Sequence, residues 1–370
     1  MTVRQPADAP SDGRAVAGSG RPLLDTLYQR LTDPAVRDLA WLLFSADLLR
    51  AQPLAPLAEP WTGADEARAA AAWLTQLDRD PARLHAALDA TRLTRLGRYA
   101  ETLLGWFLAQ GPGPRLVAAN VALRRAGLTL GECDFLVETS DARRLHWELA
   151  VKWYMHSGVA EGGVPGLADF VGPNLRDRFD LKRAHLLDHQ LRLSAREEFA
   201  WLGYQGPWLA QMFWKGWLFY RAGKGAGTPP GEPPELAEQH GRGWWVTHAD
   251  WAGFAERERA DGWSVLPRLA WLAPRRIGPM DSVDPDEGKR LPAPQETGRH
   301  HDAGDATLAA RRAVAAPVPA ATLFAGLAQV REPVMVAAFV ADGAGGYVER
   351  SRGFIVPADW PARARAFARP

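Results

Sequence analysis

The chain has 370 residues, 47% of them hydrophobic, enough to bury a sizeable core in one large domain or two to three smaller ones. Forty-four Lys and Arg against forty-three Asp and Glu leave a net charge of +1, so a nucleic-acid partner has to be met by a local basic patch and not by the whole surface. Cys133 is the only cysteine, which excludes an intramolecular disulfide and any Cys-cluster metal site and suits a reducing compartment.

Residues 1–20, rich in Pro, Ala, Gly and Asp with no apolar core, read as a disordered tail and not as a signal peptide. Residues 21–91 form a helical region in which apolar residues recur every three or four positions, as in Leu39, Leu42, Leu43 and Ala46. Its longest strongly apolar run, Leu39 to Phe44, is far too short to cross a bilayer, so no membrane contact and a cytoplasmic location are expected.

Residues 92–221 carry the segments that hold the chemistry. RLTRLGRYAETLLGWFLAQ predicts a helix with the stripe Leu93, Leu96, Ala100, Leu103 and Phe107, stopped by QGPGP. A strand follows at Arg115 to Leu123, and then GECDFLVETSDARRLHWELAVKWYM, Gly131 to Met155. In its second half Leu145, Trp147, Leu149, Val151, Trp153 and Met155 alternate with His146, Glu148, Lys152 and Tyr154, the period of a strand with Glu148 and Lys152 on one face. In its first half Glu132, Asp134 and Leu136 share a face, and Cys133 alternates with Phe135 and Val137 as a small core residue.

Ser140, Asp141 and Ala142 suit a turn between the two strands. A hairpin centred on Asp141 pairs Asp134 with Glu148, Glu132 with Ala150 and Leu130 with Lys152. It thereby brings two carboxyl-bearing Cβ atoms to ~5 Å on the same face. Like charges so placed are destabilising and call for a cation, supplied either by Lys152 or by a divalent metal with hard oxygen ligands such as Mg²⁺. An ordinary half-exposed hairpin whose solvent face carries Glu, Asp, Lys and His fits the same residues.

A Gly- and Pro-rich loop from Ser157 to Pro173 leads to DLKRAHLLDHQLRLSAREEF, a second long helix. Lys182, His189 and Gln190 on it are candidates for substrate binding. Arg176, Arg178, Arg183, Arg192 and Arg196 make a basic surface that Asp177, Asp180 and Asp188 dilute. His185 and His189 have the i, i+4 spacing used for zinc, without a visible third ligand. A further strand, Ala210 to Arg221, completes the order α, β, β, β, α, β.

Residues 222–278 form a Trp-rich extension, and nine of the sixteen tryptophans lie between Trp201 and Trp271, where core packing is expected over base stacking. Residues 279–311 read as a flexible linker, and residues 312–370 as a C-terminal helix and hairpin packing back on the core. No Walker loop, dinucleotide fingerprint or Gly-x-Ser-x-Gly elbow is present.

The helix with a carboxylate, the three strands with an Asp and then an acid and a Lys, the second helix and the fourth strand resemble the αβββαβ core of the PD-(D/E)XK nuclease-like superfamily. More closely, LAWLLFSADLL, GRYAETLLGWFL, GECDFLV, HWELAVKWY, LDHQLRLS, KGWLFY, GWWV and LPRLAWLAP look like an uncharacterised bacterial family grouped with it. The resemblance covers about residues 35–275 and RGFIVPADWP. It implies an α/β protein with a restriction-endonuclease-like core, an N-terminal helical region and a Trp-rich C-terminal extension.

The resemblance also implies metal-dependent phosphodiester hydrolysis of nucleic acid. Glu101, Asp134 and Glu148 would surround Mg²⁺ or Mn²⁺, and Lys152 would sit at the attacking water. The alternative is a catalytically silent relative that binds nucleic acid or a protein. The spacing departs from the superfamily pattern: Glu148 and Lys152 are four apart, ~13 Å along a strand, where the superfamily has two, or ~6.6 Å. Ala150 fills the intermediate position, and Glu132 is the accessory carboxylate that restores an acid beside it.

Overall fold

The computed structural model describes residues 20–52, 56–91, 93–159, 163–223, 231–279 and 307–369. Residues 1–19 of the expected tail (1–20) and 280–306 of the expected linker (279–311) therefore lie outside the described residues, and Gly20 already begins a helix. Five helices come first: α1 (Gly20–Arg30), α2 (Pro34–Phe44), α3 (Ala64–Arg79), α4 (Ala82–Asp89) and α5 (Leu96–Gln110). Then follow β1 (Arg115–Arg125), β2 (Leu128–Glu138), β3 (Arg144–His156), the short β4 (Phe170–Val171), α6 (Phe179–Asp188), α7 (Glu197–Ala200) and β5 (Leu209–Arg221). The remainder is β6 (Gly241–Thr247), α8 (Trp251–Glu258), β7 (Gly262–Val265), β8 (Arg276–Ile277), α9 (Leu308–Arg312), α10 (Ala320–Leu327), β9 (Val334–Ala341), β10 (Tyr347–Val356) and α11 (Trp360–Ala368).

The protein is a mixed α/β structure. One ten-stranded sheet runs in the order β1-β2-β3-β5-β6-β10-β9-β7, with β4 on β3 and β8 on β10. β3, β5, β6 and β10 are neighbours in parallel, and the β1-β2-β3 and β10-β9-β7 arms are antiparallel. The Trp-rich segment and the C-terminal hairpin thus extend the same sheet as β3. Gly353 permits the close approach of β10 to β6, since a Cβ there would lie 2.1 Å from the Trp244 carbonyl oxygen.

Local signals set the helices. Asp33 accepts from the amides of Ala35 and Val36 and Pro34 occupies the first turn, a strong start for α2. The α5 stripe Leu96, Ala100, Leu103 and Phe107 is buried as expected, joined by Tyr99, Leu104 and Leu108. α5 and α11 lie against one face of the sheet, and α1, α2, α3 and α4 complete the same core with Phe135, Val137, Trp147, Trp153, Phe213, Trp245 and Phe354.

The other face is covered as well, which removes the half-exposed hairpin from consideration. Tyr154, Ala150, Trp214 and Leu218 pack under Phe179 and Leu186 of α6, and Trp244, Val246 and Ile355 pack under α8 and α10. Trp214, Trp244, Trp245, Trp251, Trp263 and Trp271 are buried, in line with the packing role expected of the tryptophans, while Trp201 is exposed.

The second long helix is broken. α6 ends at Asp188, His189 leaves helical geometry (φ −122°, ψ −65°), and a 3₁₀ segment, Gln190–Ala195, follows before α7. That break turns Gln190 and Ser194 toward β3.

Candidate functional site

β2 and β3 form the expected hairpin register over Glu138↔Arg144, Val137↔Leu145, Leu136↔His146 and Phe135↔Trp147. The ladder then stops. Asp134 and Glu148 come next on the two strands, and their side chains take over the backbone's hydrogen bonds: the Leu149 amide donates to Asp134 Oδ2 at 2.8 Å, and the Asp134 amide donates to Glu148 Oε1 at 3.4 Å. A buried amide needs a partner, so the two carboxylates plug the opening between strands. Past this notch β2 stays with β1 and β3 with β5, and the expected pairs Glu132 with Ala150 and Leu130 with Lys152 do not form.

The opening also shifts the alternation of β2. Phe135 and Val137 face α5, but Cys133 packs with Leu123, Leu136, Leu193 and Phe199 on the opposite face. The expectation that Cys133 shares a face with Phe135 fails because the chain slips one position at Asp134.

Glu148 is buried, and every one of its contacts is built. His146 Nε2 lies 2.7 Å from Oε1, and Gln190 Nε2 donates to Oε2 at 3.0 Å. His146 is itself fully buried, and its Nδ1 lies 3.0 Å from Ser194 Oγ. The chain Ser194, His146, Glu148, Gln190 locks this carboxylate in one orientation.

Asp134 is less fully bound: among the described residues its Oδ1 has no hydrogen-bond partner. Burial, and next the charge of Glu148, push its carboxyl up to about 8, with smaller contributions from Glu101 and Glu132. Glu101 is tied to Arg98 at 2.7 Å, and Arg98 also reaches Asn120 Oδ1 at 2.8 Å. Arg98 senses Glu101, Glu132 and Asp134, so these carboxylates gather on the α5 side of the notch.

A carboxyl whose pKa is raised on folding contributes stability that is present below its ordinary value and lost as pH rises through about 8. In cation-free protein, Asp134→Asn is therefore expected to gain on wild type by on the order of 4 kcal/mol between pH 5 and pH 8.5. Urea denaturation at the two pH values measures the difference, and a constant gap would contradict the assignment.

Lys152 forms an ion pair with Asp177, which also accepts from Tyr154 Oη at 3.3 Å. Lys182, on α6, has no ion pair or side-chain hydrogen bond among the described residues. Burial, and then the charge of Lys152, hold its pKa below the usual lysine range, while Asp177, Asp134 and Glu148 act in the other direction.

His185 and His189 stack with ring centroids 5.2 Å apart, and His189 Nε2 faces Gly131 of β2. The basic surface is largely paired: Arg178 with Asp180, Arg192 with Asp188 and Arg196 with Glu198.

His146 and Ser194 were not among the expected site residues. A signal was available for His146, two residues before Glu148 on the same face of β3. For Ser194 there was none, because its place depends on the helix break. Among the described residues Cys133, His146 and Glu148 are the one group of three metal-ligand types whose donor atoms all lie within 4.8 Å. Burial and the nearby carboxylates raise the Cys133 thiol pKa, which keeps it a neutral neighbour of Glu148.

No described helix is long and apolar enough to cross a membrane. No curated protein and no solved structure matches the chain. A family model does, over residues 37–356, a span that takes in α5, the whole notch, α6 and the parallel centre of the sheet. The chain belongs to the family described as Domain of unknown function (DUF1853).

Proposed function

We propose that this protein is a cation-dependent phosphodiesterase acting on nucleic acid, and that α5, β1, β2, β3, α6 and β5 are its restriction-endonuclease-like core. The observation that carries the reading is the interrupted β2-β3 ladder, in which Asp134 and Glu148 stand side by side, with Asp134 Oδ1 free of hydrogen bonds among the described residues. Two further carboxylates, Glu101 and Glu132, bear electrostatically on the same point.

The residues fit Mg²⁺ or Mn²⁺. Carboxylate oxygens are hard donors, and a divalent cation answers a crowded acid pair that has no Lys or Arg in contact among the described residues. Asp134 and Glu148 would hold it, with Glu101 on the α5 side. When bound, the cation supplies polarisation of the phosphodiester and favours deprotonation of the attacking water.

His146 and Gln190 fix Glu148 so that its oxygens do not reorganise during turnover. Lys182, with a lowered pKa and no ion pair or side-chain hydrogen bond among the described residues, would take the proton of the attacking water, the role that the resemblance alone assigns to Lys152. His189 and the Lys182 stem offer contacts to the phosphate backbone from α6. A cytoplasmic setting goes with this chemistry.

A second reading, binding of nucleic acid without cleavage, draws on the Lys152 ion pair with Asp177 and on Ala150 in the intermediate position. Labelled single-stranded DNA, duplex DNA and RNA incubated with cation-free protein, then with Mg²⁺ or Mn²⁺, separate the two. Cleavage that appears with the cation and stops with chelator is the expected result. Retention of the strands with no cleavage under either cation would replace catalysis with binding.

A further inference from the structure

A second polar centre gathers around α2, α9 and the segment before β8, with Tyr99 contributed by α5. Arg37, Arg275 and Arg312 are all more than nine-tenths buried, with 5%, 5% and 8% exposure, and the buried acid among them is Asp38. Asp38 is taken by Arg275, at 2.6 Å, and by the Tyr99 hydroxyl at 2.9 Å. Arg37 is satisfied by backbone carbonyls, those of Tyr28, Leu31 and Pro274. The neighbouring Glu349 is held by Arg352.

Arg312 is different. Its guanidinium stands over the Tyr99 ring at 5.3 Å, and it has no hydrogen bond or ion pair among the described residues. Its Nε is buried without a partner. An isolated buried charge is costly, and a guanidinium does not escape by losing its proton.

Arg312 lines a cavity of about 300 Å³ between the start of α2, α4, β8 and α9. The acids in the wall do not answer it: Asp33 caps α2 and lies 2.9 Å from His85, and Asp89 is exposed; of the other two wall arginines, Arg275 holds Asp38 and Arg276 pairs with Asp342. The rest of the lining is mainly apolar, with Leu88, Ile277, Leu308 and Val314.

We propose that this cavity binds a small organic oxyanion, a carboxylate or a phosphate ester, with its head on the Arg312 guanidinium and a compact apolar body against Leu88 and Leu308. A planar guanidinium matches either head group with two parallel hydrogen bonds. The volume is that of the smallest ligand pockets, with one fixed polar anchor in an apolar wall.

Inorganic phosphate and hexanoate are the probes, tested on the full chain by calorimetric titration and melting temperature. At least one of them is expected to bind the wild type and raise its melting temperature by about 3 °C or more. Arg312→Gln is expected to weaken that binding at least about tenfold, the loss of one charged anchor. Ala309→Trp, which keeps Arg312 and narrows the cavity, tests the site if Arg312→Gln fails to fold. Phosphate also stabilises proteins in general by exclusion from their surface. An equal rise in wild type and Arg312→Gln, or in Ala309→Trp, would therefore overturn the proposal, as would no response to either probe. Response to hexanoate alone identifies a carboxylate ligand, and response to phosphate a phosphate ester.

Discussion

Glu148→Gln is expected to lower cation-dependent cleavage by about a thousandfold, the loss of several kcal/mol of charge stabilisation, while leaving the protein folded. The amide keeps the shape of Glu148 and one acceptor for His146 and the Asp134 amide, so a collapse of activity at near-normal stability reports on charge and not on packing. The two lysines then divide the site. Lys182→Ala is expected to cost about a hundredfold, the contribution of a positioned proton acceptor. Lys152→Ala breaks only a partly exposed pair with Asp177, worth about 0–1 kcal/mol, and is expected to leave cleavage close to wild type. Initial rates for the three variants on one substrate make the comparison. The reverse order of the lysines would return the catalytic role to β3.

Asp38→Ala is expected to destabilise the protein by about 3–5 kcal/mol, because it leaves the Arg275 charge buried without its partner. Asp38 also accepts from the Ala273 amide at 3.0 Å, so this one carboxylate ties α2 and α5 to the segment that follows the Trp-rich strands. Asp38→Leu combined with Arg275→Met removes both charges and is expected to recover most of the loss. Urea denaturation of the single and double variants measures this, and a double variant no better than the single would locate the cost in the Tyr99 and Ala273 contacts instead.

Both effects rest on burial that local patterns reveal unevenly. The period-two alternation of Leu145, Trp147, Trp153 and Met155 and the turn at Asp141 were enough to place β2 and β3 in register. The same alternation failed one residue later, since nothing in GECDFLVE signals that Asp134 will replace a backbone partner and shift Cys133 to the other face. The face carrying His146 and Glu148 reads as polar and therefore wet. It is dry because α6 and the 3₁₀ segment cover it, and the helix break at His189 that allows this depends on tertiary contacts. The parallel pairing of β10 with β6 joins residues more than a hundred apart and leaves no local trace. The pairing of Lys152 was hidden for a related reason: spacing along β3 considers only one element, and Asp177, its partner, comes from the segment before α6.

The proposed function stands on Asp134 and Glu148 binding a divalent cation as a pair. The most direct measurement is the melting temperature at pH 8 of protein stripped with chelator, before and after Mn²⁺, for wild type and for Asp134→Asn. Wild type is expected to rise by about 5 °C at a cation concentration well above the dissociation constant, and Asp134→Asn to stay within about 1 °C of its cation-free value. A wild type that does not respond, or a variant that rises equally, would contradict the claim.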